Sequence, residues 1–260
     1  MTLQGKTALV TGSTSGIGLA IAKGFADAGL NIVLNGFGDA DKIEEERKAI
    51  EEKGVKAIYS GADMTKPDQI AAMVKEAEAE FGNIDVLVNN AGIQFVSPVE
   101  DFPIEKWDAI MAINLSSAFH TTKAVIGGMK EAGWGRIINM CSAHGLVASP
   151  YKSAYVAAKH GILGFTKTIA LEVAQDNITC NAICPGYVFT PLVENQIADT
   201  AKARGISEDE VINDVLLKAQ WTKKFVTVEQ VSGIALFLCS DIAENITGTD
   251  ITVDGGWTAA

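Results

Sequence analysis

The sequence has few of the residues that mark several classes of protein. Only four of its 260 residues are cysteines, and no two of them form a CxxC pair. Cysteines in or beside apolar segments, as most of these are, behave as small hydrophobic residues. We therefore expect neither a disulfide framework nor a bound metal. The four cysteines are Cys141, Cys180, Cys184 and Cys239.

Basic residues are also scarce, with 21 Lys and Arg against 32 Asp and Glu and a formal net charge of −11. Nucleic-acid binding depends on clustered cations, and the sequence contains no basic stripe. No apolar run is long enough to span a bilayer, and the first residues enter a predicted strand without a leader pattern. We therefore expect a cytoplasmic protein with no nucleic-acid and no membrane partner.

What is present is the composition of a globular α/β protein, with 48% hydrophobic residues and 25 glycines. Short apolar, β-rich runs alternate with segments of helical periodicity, which predicts a parallel, doubly wound sheet. The runs IDVLV and RIINM lack polar alternation, as expected of strands that helices cover on both faces. The seven predicted strands are 6–10, 31–34, 56–59, 84–88, 136–140, 178–183 and 250–253.

We predict a single Rossmann-type domain over residues 1–260, with a seven-stranded parallel sheet flanked by helices. Residues 186–226 interrupt the alternation of strand and helix with two short helical patterns and a polar joint. Segments that depart from a regular scaffold in this way often cover a binding site. We interpret this insertion as a small helical lid that binds substrate.

The first predicted strand leads through residues 11–18 directly into a helix. In a doubly wound sheet this turn binds the pyrophosphate of a dinucleotide. Gly12 permits a tight turn, Gly16 lets the backbone approach the phosphates, and Gly18 permits close helix packing. The spacing G-x-x-x-G-x-G lacks the Gly-Lys-Ser/Thr ending of a loop that binds a nucleoside triphosphate. The alternative to dinucleotide binding is a glycine turn with no ligand.

The loop after the second strand, residues 35–39, contains no lysine or arginine. A ribose 2′-phosphate would find no cation there, whereas Phe37 would occupy its space and Asn35 would hydrogen-bond the 2′-hydroxyl. The loop therefore predicts NAD rather than NADP. The usual acidic ribose partner is absent from the strand end, and Asp39 is a candidate substitute.

Two further loops follow predicted strands and should reach the same crevice, because the carboxyl ends of parallel strands share one edge. Asp63 and Met64 follow the third strand, where they would hydrogen-bond and flank an adenine. Residues 89–92, Asn-Asn-Ala-Gly, follow the fourth strand. For these four residues an Asx-type turn that only closes the strand is the alternative.

These motifs, together with Ser142, Tyr155-x-x-x-Lys159 and Pro185-Gly186, resemble the short-chain dehydrogenase/reductase family over essentially the whole chain. A Tyr-x-x-x-Lys pair alone is a common feature of one helix face, so the ordered set of motifs carries the resemblance. It implies hydride transfer with Tyr155 as acid/base, Lys159 lowering the Tyr155 pKa and holding the cofactor ribose, and Ser142 polarising the substrate oxygen.

The resemblance implies other features too. Asn114 would anchor a water relay to the lysine, although a local bond from its side chain to the backbone is an alternative. Family members form homotetramers, and we expect a homo-oligomer here. The residues predicted or implied to bind the dinucleotide are Gly12, Thr14, Ser15, Gly16, Ile17, Gly18, Asn35, Phe37, Asp63, Met64, Asn90, Ala91, Gly92, Tyr155, Lys159, Pro185, Gly186, Val188, Thr190 and Leu192.

Within the family, residues 35–38, 142–147, 152–155, 190–193 and 253–257 are similar to those of the branch that reversibly oxidises D-3-hydroxybutyrate. Such a short 3-hydroxy acid, or the matching 3-oxo acid, presents a carboxylate that needs donors or cations near the reacting carbon. A solvated lysine, a structural histidine and surface glutamines are the alternatives, and Trp257 fits either an interface or the site. The implied substrate-binding residues are Gln94, Ser142, His144, Lys152, Tyr155 and Gln196.

Two other functions fit part of the pattern. An NADP-dependent 3-oxoacyl carrier-protein reductase, or another short-chain alcohol dehydrogenase, would share the catalytic residues, but the acidic excess disfavours docking of an acidic carrier protein. A non-catalytic NAD-sensing protein would share the fold without needing Ser142, Tyr155 and Lys159 intact.

Overall fold

The fold is known from a computed structural model that describes residues 3–190, 193–194, 197–198, 201–202 and 205–260. In this part of the chain seven strands form one parallel sheet, in the order β3-β2-β1-β4-β5-β6-β7. This confirms the predicted doubly wound sheet. The strands are β1 Thr7–Val10, β2 Asn31–Asn35, β3 Ala57–Ser60, β4 Val86–Asn89, β5 Gly135–Met140, β6 Ile178–Pro185 and β7 Asp250–Val253.

Helices cover both faces of the sheet, which explains why the central strands are apolar at every position. Ala8 and Val10 of β1 face one layer of helices, while Leu9 between them faces the other. The first layer contains α1 and α7, and the second contains α3, α5 and α6. The long helices are α1 Gly16–Asp27, α2 Ala40–Glu51, α3 Pro67–Phe81, α4 Ile104–Met111, α5 Ser117–Ala132, α6 Ser153–Val173 and α7 Val228–Leu238.

The order of the strands positions a site. After β3 the chain returns to the other side of β1 to form β4, so the helices that follow β1 and β4 lie on opposite faces of the sheet. A crevice opens at such a reversal and is the usual ligand site of these sheets. The loop after β5 and the end of β6 reach the same edge, since all neighbouring strands are parallel.

One predicted helix is interrupted. The sequence pattern predicts a continuous helix over residues 107–129, but α4 and α5 are separated by a π-helical turn, Ala112–Ser116. Single π turns inside α-helices often occur at functional sites, because they rotate side chains away from regular positions. Here the turn places Asn114, which is buried, towards the loop after β4.

The two ends of the insertion at residues 186–226 pair with each other beside the sheet. Val188 and Val226 form an isolated parallel bridge, and Ile197 packs with Val211 and Leu216 in a small apolar cluster of its own. The insertion thus has its own packing contacts beside the end of β6. Among the described residues, no helix is both long and apolar enough to cross a membrane, and no three His, Cys, Asp or Glu side chains group as a metal site.

Candidate active site

A cleft of about 490 Å³ opens at the carboxyl edge of the sheet. Several of the loops that the sequence analysis identified after predicted strands meet in this cleft. The residues that line it are Ile17, Asn90, Gly92, Ile93, Gln94, Met140, Cys141, Ser142, His144, Lys152, Tyr155, Lys159, Pro185, Gly186, Tyr187, Val188, Thr190, Val193 and Trp257.

The glycine loop is built for close backbone approach. A Cβ on Gly12 would lie 2.8 Å from the Cα of Ala91, and one on Gly18 would collide with the carbonyl oxygen of Gly12. The Asn90 side chain completes this contact by donating 2.9 Å hydrogen bonds to the carbonyls of Thr11 and Gly12. The loops after β1 and β4 are therefore one packed unit, and Asn90 holds it together.

The N-terminus of α1 fits a pyrophosphate. The first turn of α1 carries no acidic residue, and Ser15 at its N-cap makes no capping bond. Free backbone N–H groups and the positive end of the helix dipole therefore face the cleft. A Cβ on Gly16 would point towards Thr190, 3.7 Å from its Cγ2. The glycine thus leaves open the space that a phosphate group would fill.

Asn35 has a different task from the predicted ribose bond. The residue is fully buried, and its amide nitrogen donates to the carbonyls of Ser60, at 3.1 Å, and Ala62, at 2.9 Å. Its side-chain oxygen accepts from the Gly12 N–H at 3.4 Å. With both ends of the amide in use, Asn35 positions the surrounding loops and the prediction for it is wrong.

The remaining side chains of the adenosine end differ in their exposure. Phe37 is 68% exposed and stands at the rim, whereas Asp39 caps α2 by accepting from the Lys42 N–H at 3.0 Å. The Asp63 carboxylate accepts from the Thr65 N–H at 2.8 Å, and this bond lowers its pKa. Met64 is buried in the core, so its side chain does not face an adenine. Phe37 and Asp63 therefore stay candidates, and Met64 does not.

Ser142, Tyr155 and Lys159 meet in the cleft. Ser142 follows the end of β5, and the other two lie one turn apart near the start of α6. Burial raises the pKa of Tyr155 to about 12, and a hydrogen bond with the Ser142 hydroxyl opposes this rise. The Lys159 ammonium donates to the Met140 carbonyl at 2.6 Å and lies 5.6 Å from the centre of the Tyr155 ring.

The sequence predicted the opposite direction for the Tyr155 pKa. Desolvation of the phenolate dominates, and the Lys159 ammonium is held by a neutral carbonyl and is itself buried, which lowers its own pKa. With its pKa at about 12, Tyr155 is a protonated phenol at neutral pH. That state is the acid needed to reduce a ketone.

The Asn114 side chain hydrogen-bonds the backbone of the loop after β4. Its amide oxygen accepts from the Ile93 N–H and its amide nitrogen donates to the Ile93 carbonyl, both at 2.9 Å. The side chain therefore bonds the backbone of the loop after β4, which is neither the local bond within its own helix nor a water relay. Asn114 thereby holds the loop that carries Gln94, which is exposed and lines the cleft.

His144 and Lys152 form a basic pair beside the catalytic residues. The Lys152 Nζ lies 3.3 Å from the His144 Nε2, and the His144 N–H donates to the Ser142 hydroxyl oxygen at 3.2 Å. Burial, helped by the Lys152 ammonium, lowers the pKa of His144 to about 4. Burial also lowers the pKa of Lys152. A half-buried ammonium next to a neutral imidazole favours the binding of a carboxylate.

Two aromatic residues that the sequence did not assign complete the cleft. Tyr187 and Trp257 stack with ring centres 5.8 Å apart and 9° between their planes, and we call this pair the aromatic wall. The Trp257 ring is edge-on to His144, with centres 4.9 Å apart. The sequence signal for Tyr187 in the cleft was its position next to Gly186. For Trp257, nothing in the local sequence distinguished a place in the site from a place in a subunit interface.

The other predicted contacts vary. Pro185, Gly186, Val188 and Thr190 line the cleft with Ile17. Thr14 is more peripheral, donating to the Phe37 carbonyl at 2.9 Å. Leu192 and Gln196 lie outside the described residues.

Comparison with known proteins places the chain among dehydrogenases. A family model described as short chain dehydrogenase matches residues 6–201. The D-beta-hydroxybutyrate dehydrogenase of Rhizobium meliloti is 62% identical, with 98% of this chain and 99% of the relative aligned. The protein of that name in Cupriavidus necator is 55% identical, with 99% of each chain aligned. A 3-oxoacyl-acyl-carrier-protein reductase of Staphylococcus epidermidis is 36% identical, with 96% and 98% aligned.

Proposed function

Because this chain belongs to the short-chain dehydrogenase family, we propose that it interconverts D-3-hydroxybutyrate and acetoacetate with a nicotinamide dinucleotide. The observation that carries the proposal is one cleft in which Ser142 and Tyr155 lie beside the basic pair of His144 and Lys152. Two relatives named for this substrate, 62% and 55% identical, support it over the reductase at 36%.

The catalytic residues divide the chemistry at the substrate oxygen. A bound nicotinamide supplies or accepts the hydride. Tyr155 gives its phenolic proton to the forming alkoxide during reduction and takes the proton back during oxidation. Ser142 hydrogen-bonds the same oxygen, and Lys159 places a positive charge near Tyr155 that stabilises the phenolate.

The basic pair selects an acid as substrate. Lys152 is half-buried and burial lowers its pKa, so its ammonium has lost part of the solvation that a carboxylate would replace. His144 is neutral at pH 7 because its pKa is about 4, and its Nε2 accepts from the Lys152 ammonium, so it orients that cation without adding a charge of its own. Gln94 and Gln196 are further donors in the proposal.

The dinucleotide is proposed to be NAD. Residues 35–39 contain no cation that would bind a 2′-phosphate, and exposed Phe37 stands at that rim. Because Asn35 is buried, the ribose must be met by other groups, and the backbone of this loop supplies candidates.

We propose a homotetramer and a cytoplasmic location as well. Ile104, Phe119 and Leu171 project from α4, α5 and α6 with 76%, 49% and 81% exposure. Large apolar side chains at such exposure suit contacts between subunits. The four free cysteines agree with a reducing compartment.

The first experiment follows absorbance of the reduced nicotinamide with NAD and D-3-hydroxybutyrate. We expect turnover that is selective for the D form, is weaker with NADP, and is lost in Tyr155→Phe because the proton donor is removed. The L form and wild-type protein without substrate are controls. NADP-dependent reduction of 3-oxoacyl thioesters with no oxidation of D-3-hydroxybutyrate would contradict the proposal and favour the reductase.

A further inference from the structure

The aromatic wall is positioned by residues outside the cleft. Tyr187 follows the end of β6, and Trp257 begins a 3-10 turn, so neither ring is fixed by a long regular element. The wall flanks the basic pair, because Trp257 contacts His144 and the Lys152 ammonium lies 5.9 Å from the centre of the Tyr187 ring. Its placement therefore decides how much space remains beside a bound carboxylate.

Gln220 holds the Tyr187 side of the wall. This residue is fully buried, and its amide oxygen accepts from the Tyr187 N–H. Its amide nitrogen donates to the Lys224 carbonyl at 2.7 Å. A buried amide with both ends bonded has one favourable orientation, so it fixes the backbone it touches.

Asp254 holds the Trp257 side. Its carboxylate is nearly buried and accepts from the Gly256 N–H at 3.0 Å, the Thr258 N–H at 2.9 Å and the Thr258 hydroxyl at 2.6 Å. Burial raises the pKa of Asp254, but the bonds from Thr258 and Gly256 outweigh burial and the net pKa is lowered. The carboxylate is therefore charged, and the residues it binds flank Trp257.

Gln220 and Asp254 both pack against Gly186. A Cβ on Gly186 would collide with the side-chain oxygen of Gln220 and lie 3.0 Å from the Cα of Asp254. The N–H of Gly186 also donates to the Val253 carbonyl at 3.0 Å. Three segments therefore pack together behind the wall: the end of β6, the insertion and the end of β7. We call this contact the junction, and it holds the backbone next to both rings.

We propose that Gln220 and Asp254 are positioning residues that restrict the site to short acids by fixing the aromatic wall. The inference rests on the proposed oxidation of 3-hydroxybutyrate. A wall held on both sides leaves space for a small alkyl group, whereas a loosened wall admits longer chains and orients short ones less well. Neither side chain lines the cleft, so both act on the substrate through the aromatic wall.

The test uses Gln220→Met, which keeps the volume and removes both bonds, and Asp254→Asn, which turns an acceptor into a donor. With NAD, we expect KM for D-3-hydroxybutyrate to rise about tenfold with a smaller change in kcat. The kcat/KM for D-3-hydroxyhexanoate relative to D-3-hydroxybutyrate should rise about tenfold too. Gln175→Met and Glu229→Gln, at exposed positions away from the wall, are the matched controls.

A second measurement does not depend on activity. The fluorescence of Trp257, taken as the difference from a Trp257→Phe background, should shift to the red as the loosened ring gains water. The dissociation constant of NADH, measured by its own fluorescence, should change by less than the tenfold expected for KM, because the dinucleotide would also contact the loops after β1 and β4. If Asp254→Asn does not fold by circular dichroism, Thr258→Val removes one of the three bonds and is measured in the same way.

The outcomes separate the two proposals. Absence of D-3-hydroxybutyrate oxidation in the wild-type enzyme would overturn the proposed function, while the fluorescence still shows whether Gln220 and Asp254 position Trp257. An active wild-type enzyme whose variants keep its KM, its chain-length ratio and its Trp257 emission would overturn the positioning role alone.

Discussion

At the residue scale, the cleft contains two lysines whose charge is poorly solvated. Burial lowers the pKa of both Lys152 and Lys159. The hydrogen bonds that the structure gives their ammonium groups go to neutral atoms, the His144 ring and the Met140 carbonyl. A buried ammonium with neutral partners gains most from an arriving anion. In the proposed function a substrate carboxylate would meet this need at Lys152, and the Tyr155 phenolate would meet it at Lys159.

The raised pKa of Tyr155 predicts that kcat depends on pH differently in the two reaction directions. Oxidation needs the phenolate, so kcat should increase from about pH 6 to about pH 9, whereas reduction needs the phenol and should change little over that range. The groups facing Tyr155 include His144, already neutral there with a pKa of about 4, and Lys159. Saturating substrate removes the contribution of Lys152 to binding.

Ser142→Ala supplies the control for this profile. The Ser142 hydroxyl lowers the Tyr155 pKa, so its loss should move the oxidation profile towards higher pH as well as lower kcat. Oxidation that slows steadily as pH rises would show that Tyr155 is not the base.

At the element scale, the turn between β1 and α1 depends on the absence of a side chain at Gly12. Its φ is +62° and a Cβ would lie 2.8 Å from the backbone of the neighbouring loop. Gly12→Ala should therefore lower the free energy of unfolding by about 2 kcal/mol or more and weaken dinucleotide binding. Urea denaturation and NADH titration measure the two effects.

Gly54→Ala is the matched control, because Gly54 has a φ of +87° but no atom lies within 4 Å of the position that a Cβ would take. This variant has the strain of a left-handed backbone without the collision, so it should lower the free energy of unfolding by about 1 kcal/mol. Equal losses of stability in both variants, with unchanged NADH affinity, would mean that the close approach of the two loops is unimportant.

The elements themselves were readable from the sequence, since apolar runs and helical periodicity are local signals. The π turn at Ala112–Ser116 was not, because it depends on the bonds of Asn114 to a distant loop. Asn35 and Met64 were misassigned for a similar reason: their partners lie on other strands and in the core. The aromatic wall joins residues far apart in the sequence, and spacing alone contains no sign of it.

At the scale of the whole molecule, the dinucleotide should act as a stabilising ligand. Its proposed site joins the loops after β1 and β4, so binding must favour the folded protein over the unfolded chain. NAD at about one hundred times its dissociation constant should add ~2.7 kcal/mol to the stability. Differential scanning fluorimetry should then show Tm higher by several degrees.

NADP at the same concentration should give a smaller shift, because residues 35–39 lack a cation for its additional phosphate. Gly12→Ala should lose most of the shift with NAD. A larger Tm increase with NADP than with NAD would contradict the cofactor assignment.

The junction behind the aromatic wall also bears on how the molecule assembles. Gln220 bonds a residue 33 positions before it, and Asp254 reaches the same place from the last strand. The loops after β1 and β4 are joined by hydrogen bonds that close even longer loops, of up to 80 residues, so both halves of the site incur a loop-closure entropy. No local segment can therefore form either half of the site alone, and discrimination among substrates is a property of the completed fold.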